Sequence, residues 1–138
     1  MKRKILIVED NVSLSQRQKD WFEQAGYDAM TAMNEPAARA LIRKHQFDLI
    51  LSDVRLPEGN GISLLEWLKK EKRDIPFIIT TEYVSVPDVV RTIKLGAKDY
   101  LPKPVHREHL LELAEEIFAR DCPHETERPV QAYLPQNT

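Results

Sequence analysis

Cysteine is nearly absent from this chain. Cys122 is the only one in 138 residues, so no internal disulfide can form, which is compatible with a reducing compartment. Long hydrophobic runs are missing as well. The longest is about four residues, against the ~20 that span a bilayer, so neither a transmembrane helix nor a membrane partner is expected. The start, "MKRKILIVEDN", is basic and then apolar, but its apolar part is too short for a signal-peptide core and acids follow at once. A cytoplasmic location is the expectation. There is no long basic block, and the formal net charge is −2. Nucleic-acid binding normally needs a concentrated positive face, so direct binding by this chain is not expected.

What is present is ordinary for a folded protein. Hydrophobic residues make up 42% and charged residues 30%. The length suits one compact domain and a tail. Five short apolar segments recur: "KILIVE" (4–9), "YDAMTA" (27–32), "DLILSD" (48–53), "PFIITT" (76–81) and "KDYLPK" (98–103). The first, third and fourth are nearly continuous, the pattern of strands covered on both faces. Helical spacing lies between them. Leu14, Trp21 and Ala25 mark one face of 12–26, and Ala37, Leu41 and Ile42 mark 35–45. Leu64, Leu65 and Leu68 mark 62–72; Val86, Val90 and Ile93 mark 85–95; Leu110, Leu113, Ala114 and Ile117 mark 106–120. Asn34 before Pro36 reads as a helix start, and Gly26 and Gly96 read as helix ends. Five β-α alternations predict a doubly wound α/β domain with a five-stranded parallel sheet. The strand order 2-1-3-4-5 is one known for such sheets and is taken over rather than derived from spacing. Residues 1–120 form the expected domain. After Arg120, three prolines and little periodicity mark 121–138 as a tail or linker, with Pro123 stopping the last helix.

With that strand order, polar residues gather at the strand ends. Glu9 and Asp10 close the first strand, Asp53 the third, Thr80 the fourth and Lys103 the fifth. Ligands of such sheets bind outside the carboxyl ends of the strands. Three carboxylates this close repel one another, and a divalent cation relieves that conflict. All-oxygen surroundings favour magnesium, which tends to bind together with phosphate. A carboxylate can act as nucleophile and form an aspartyl phosphate, with magnesium and a lysine neutralising the transferring group.

The motifs "VEDN", "SDVRLPEGNG", "ITT" and "LGAKDYLPKP", at these spacings, resemble a two-component response-regulator receiver domain over roughly residues 3–120. The resemblance implies a flavodoxin-like (βα)5 fold. It implies that Asp53 is the phosphoacceptor, supplied by a histidine kinase or phosphotransfer protein. Glu9, Asp10 and Asp53 would hold magnesium with the backbone carbonyl of Arg55. Lys103 would pair with the phosphoryl group, Thr80 would bond it, and Tyr100 would swing inward as the switch aromatic. The Lys103–Pro104 peptide is commonly cis in the family, and X-Pro is the bond that tolerates cis. "SDVRLPEGNG" and "LGAKDYLPKP" look most like receivers of enhancer-binding activators for the nitrogen-type alternative sigma factor. On that reading the chain is a receiver cut from a longer transcription regulator. Arg91, Lys94, Lys98, Asp99 and Glu112 give the fourth helix, fifth strand and fifth helix a mixed charge suited to homodimer contact.

One departure from the family pattern carries an expectation. The residue after Thr80 is usually Ala or Gly; here it is Thr81, followed by Glu82. Arg55 lies across the mouth of the site. Arg55 and Glu82 are expected to pair as a partial lid that modulates loss of phosphate. His106 and His109, taken alone, read as a solvated face, and Trp21 and Trp67 as packing. The competing class is an aspartate-nucleophile, magnesium-dependent phosphatase of the haloacid dehalogenase type. It usually carries Asp-x-Asp after its first strand, where this chain reads Glu9-Asp10-Asn11. A flavin-binding flavodoxin would need a phosphate-cradling loop where "EDNVSLS" is acidic.

Overall fold

A computed structural model describes residues 2–120. The proposed tail at 121–138, including Cys122 and Pro123, lies outside the described residues. The elements alternate: β1 (Lys4–Val8), α1 (Val12–Gln24), β2 (Asp28–Ala32), α2 (Glu35–Lys44), β3 (Leu49–Asp53), α3 (Gly61–Lys70), β4 (Phe77–Thr81), α4 (Val86–Lys94), β5 (Asp99–Pro102) and α5 (Arg107–Arg120). All strand pairs are parallel, in the order β2-β1-β3-β4-β5. The expected fold class and strand order are therefore observed.

The near-continuous apolar runs have a simple cause. β3 and β4 are buried at every position, because helices cover both faces of the sheet. Successive side chains then feed two cores. Leu6, Val8, Ile50, Phe77 and Ile79 pack with α2 and α3, whereas Ile5, Ile7, Leu49, Leu51 and Ile78 pack with α1 and α5. Asn11, Asn34, Asn60 and Ser85 cap α1, α2, α3 and α4 by accepting a backbone N–H from the first turn. Gly26 and Gly96 end α1 and α4 in the left-handed region, at φ +99° and +92°. No described helix is long and apolar enough to cross a membrane.

Three helix faces differ from expectation. The stripe of α1 that faces the sheet is Ser15, Gln18 and Phe22, and Ala25 is exposed. In α2, Ala38 and Ile42 are buried with Glu35, and Ala37 is exposed. In α4 the reversal is complete. Val86, Val90 and Ile93 are 72%, 46% and 62% exposed, and Thr92 alone is fully buried. Periodicity identifies a stripe, but where two stripes compete, the sheet selects the one that fits its surface. Replacing Leu68 on α3 by Ala should cost about 2–5 kcal/mol, whereas Ile93→Ser should stay within about 0.5 kcal/mol. Equal losses in urea melts would contradict this orientation of α4.

Candidate functional site

The carboxyl ends of β1, β3 and β4, with the residue after β5, form an acidic pocket. Glu9 follows β1 and is 3% exposed. Its Oε2 accepts the Asn11 N–H at 3.1 Å. Asp53, the last residue of β3, is 8% exposed. Lys103 Nζ bridges the two, donating to Glu9 Oε1 at 2.9 Å and Asp53 Oδ2 at 3.0 Å. Asp10 is exposed at the rim. One carboxylate oxygen from each of Glu9, Asp10 and Asp53 lies within 4.8 Å of the others. Thr80 is buried and stands opposite Asp53 in the β3–β4 register. The Lys103–Pro104 peptide is cis, and Lys103 N–H donates to the Thr81 carbonyl at 2.7 Å. The structure thus brings Glu9, Asp10, Asp53, Thr80 and Lys103 to one edge.

Charge decides what this pocket suits. Three carboxylates face one ammonium, so the cluster carries a net deficit of positive charge. The donors are all oxygen, which fits a hard divalent cation. Burial pushes the Glu9 carboxyl above its ordinary range, and the bonds from Lys103 and Asn11 only partly offset that. Burial pulls the Lys103 ammonium down, but its bonds to Glu9 and Asp53 outweigh this and its pKa is raised. Both directions are consistent: burial penalises both charges, but the lysine faces two carboxylates, whereas Glu9 faces one cation and the nearby Asp53 carboxylate also raises it. Glu9 therefore binds a proton more readily folded than unfolded. Its contribution to stability is full below its unfolded value of 4.5 and fades as pH rises through the higher folded value. In metal-free buffer, Glu9→Gln should be at least as stable as the wild type at pH 7.5 and lose that advantage at pH 4. Denaturant midpoints at the two pH values check this, and a constant difference would contradict it.

The rim differs from expectation. Arg55 and Glu82 do not pair. The Arg55 guanidinium lies over the Tyr83 ring, 5.1 Å from its centre. The cause is local: the buried Thr81 hydroxyl donates to the Tyr83 carbonyl at 3.0 Å and accepts its N–H at 3.1 Å. That turn presents the Tyr83 ring to Arg55 and leaves Glu82 in solvent. An exposed ion pair is worth only about 0–1 kcal/mol, so stacking at about 0.5–1 kcal/mol competes with it readily. The Thr81 hydroxyl braces this loop through both bonds. Tyr100 is half-buried, and its hydroxyl is enclosed without a hydrogen-bond partner.

Sequence reading missed two features. A cavity of about 420 Å³ adjoins the pocket, walled by Leu14, Trp21, Tyr83, Lys103, Pro104 and Val105. No local pattern announces it, since it forms where α1 meets two loops. The other is Glu35, a buried carboxylate in the first turn of α2. An acid there reads as an ordinary complement to the helix dipole.

A doubly wound parallel sheet with an acid-rich pocket and a bridging lysine at its carboxyl edge defines the class of molecule. The chain belongs to the response regulator receiver domain family, whose model matches residues 5–115. It is 32% identical over 133 residues to the response regulator protein PilR of Pseudomonas aeruginosa, covering 96% of this chain and 30% of that protein. It is 37% identical to the transcriptional regulatory protein ZraR of Salmonella typhimurium, covering 83% of this chain and 26% of that protein. The chain thus spans less than a third of these two relatives. The polar-differentiation response regulator DivK of Brucella anthropi is 36% identical, covering 76% of this chain and 87% of that protein. Among solved structures, a CheY-like receiver domain from Methanospirillum hungatei superposes with a TM-score of 0.82 at 31% identity, covering 88% of this chain and 98% of that one.

Proposed function

We propose that this domain accepts a phosphoryl group on Asp53 from a histidine kinase or phosphotransfer protein and, once modified, changes its contacts to control an output. The observation that carries this is the bridging of Asp53 and Glu9 by Lys103, beside Asp10, at the sheet's carboxyl edge. In the reaction an Asp53 oxygen attacks phosphorus, a P–O bond forms, and the P–N bond to the donor imidazole breaks. The departing imidazole keeps the electron pair and ends as neutral imidazole after taking a proton. Lys103 holds its ammonium against the phosphoryl oxygens, and the Thr80 hydroxyl donates to one of them. Glu9, Asp10, Asp53 and the Arg55 carbonyl would hold magnesium, which when bound neutralises charge on the transferring group. The domain is not an enzyme in the sense of turning over an external substrate; it catalyses only its own phosphorylation and dephosphorylation. Tyr100 is the switch aromatic, and Arg55, Thr81 and Glu82 modulate access through the loops they occupy.

The added phosphoryl carries about two negative charges. Drawing Thr80 toward it couples charge to the packing of α4, β5 and α5. The exposed valines and isoleucine of α4 support a homodimer through that face. Relatives named as response and transcriptional regulators support a role in transcription control. The motif resemblance to activators of the nitrogen-type sigma factor agrees with it, and the role is proposed as cytoplasmic. Incubation with acetyl phosphate and magnesium should add the mass of one phosphoryl group, and chelation by EDTA should prevent it. No mass gain from acetyl phosphate or a kinase would sink the proposal. Steady release of phosphate from a free ester would favour the phosphatase reading. Unchanged sedimentation after beryllofluoride treatment would count against the dimer.

A further inference from the structure

Glu35, in the first turn of α2, is 5% exposed and engaged at both carboxylate oxygens. Its Oε1 accepts the Asn60 N–H at 3.1 Å, across 25 residues of sequence. Its Oε2 accepts the Ser63 hydroxyl at 3.1 Å and the fork of Arg39, whose Nε donates at 3.0 Å. A helix-dipole acid would need neither Asn60 nor Ser63, which lie 25 and 28 residues away. The loop it holds is awkward: Glu58 and Gly59 are consecutive left-handed residues, at φ 53° and 119°. Gly59 takes such a conformation freely, but a non-glycine residue such as Glu58 keeps it only where surroundings impose it. A Cβ on Gly59 would sit 2.3 Å from Glu35 Oε1, so the loop is pressed directly onto this carboxylate.

The restraint passes on to the acceptor. Asn60 is bridged to Arg55, and the Gly61 N–H donates to the Val54 carbonyl at 2.9 Å. Gly61 itself packs so closely that a Cβ there would lie 2.4 Å from the Asp53 carbonyl oxygen. Glu35 therefore fixes Asn60, and Asn60 fixes the stretch that directly follows Asp53 and carries the Arg55 carbonyl.

We infer that Glu35 is a positioning residue: by anchoring Asn60 and Ser63 it sets the backbone of the acceptor loop, and through it the Arg55 carbonyl, for the divalent cation. This rests on the proposed magnesium site. Glu35→Ala should weaken magnesium affinity by about ten- to a hundredfold, the usual effect of losing an outer-layer partner, without altering any carboxylate of the pocket. Glu35→Gln keeps the volume and an oxygen for Asn60 but loses the charge facing Arg39, so it should fall between the two. The Asn60 amide should exchange with solvent faster in both variants. Gly59→Ala should weaken magnesium too, because its Cβ would press on Glu35 in a backbone conformation that disfavours a side chain. Titration calorimetry and amide exchange on the full chain read all of this, and Glu35→Gln serves if the alanine variant does not fold. Wild-type magnesium affinity in the Glu35 variants, or unchanged Asn60 exchange, overturns the inference. Wild-type protein that binds no magnesium overturns the metal reading instead, and the Asn60 exchange then still decides whether Glu35 holds the loop.

Discussion

Asp53→Asn, given acetyl phosphate and magnesium, is expected to gain no phosphoryl mass while remaining folded. An amide oxygen carries no full negative charge and is a far weaker nucleophile than a carboxylate. The neighbouring acids are poor substitutes. Both oxygens of Glu9 are engaged, by Lys103 and the Asn11 N–H, and the residue is almost wholly buried. Asp10 is accessible but has no bond to Lys103. The fold should tolerate the change, because it removes one of three mutually repelling carboxylates and leaves the 2.9 Å Lys103–Glu9 bond in place. Intact mass and a urea melt separate the outcomes. Modification to the wild-type extent would move the acceptor away from Asp53; loss of both folding and modification would assign Asp53 a structural role.

Much of the fold was legible because it rests on local signals. Leu49, Ile50 and Leu51 form a run too short for a helix and too continuous for a half-exposed strand, and β3 stands there, buried at every position. Asn34 with Pro36, and the glycines at 26 and 96, set helix limits by backbone chemistry that needs no tertiary context. The gathering of Glu9, Asp10, Asp53 and Lys103 follows once the strand order is assumed, because parallel strands present all their carboxyl ends at one edge. Helix orientation was less legible. Ser15 and Gln18 face inward on α1 while Leu14 and Trp21 flank them, and on α4 the more apolar stripe faces solvent. Long-range bonds were not legible at all. The pairing of Arg55 with Tyr83 depends on a turn made by one hydroxyl, and the bond from Asn60 to Glu35 joins two segments whose approach only the folded sheet creates.

Lys103→Met should have the other large effect, on stability and chemistry together. The ammonium stands about 3 Å from two carboxylates. At an effective dielectric near 20, each contact is worth roughly 5 kcal/mol before desolvation is subtracted. Losing one partner of such a buried group typically costs about 3–5 kcal/mol. The carboxylates can escape part of that cost by taking up a proton. Glu9 is already pushed above 4.5 by burial, and the lysine supplies the largest influence holding it down, so the variant raises it further. A carboxylate whose folded pKa exceeds its unfolded one contributes fully at low pH and loses that contribution as pH rises. The deficit of Lys103→Met should therefore be smallest near pH 4 and widen as pH climbs through the raised Glu9 value. In the wild type, the elevated lysine pKa preserves the bridge until the solution is more alkaline than 10.5. Phosphoryl uptake should fall by about a hundred- to a thousandfold, the usual result of removing one fixed group that stabilises charge in the transition state. Denaturant midpoints across pH and initial rates of mass gain test the two halves separately. A deficit that does not vary with pH would show that Lys103 acts through packing, and an undiminished rate would remove it from the transfer step.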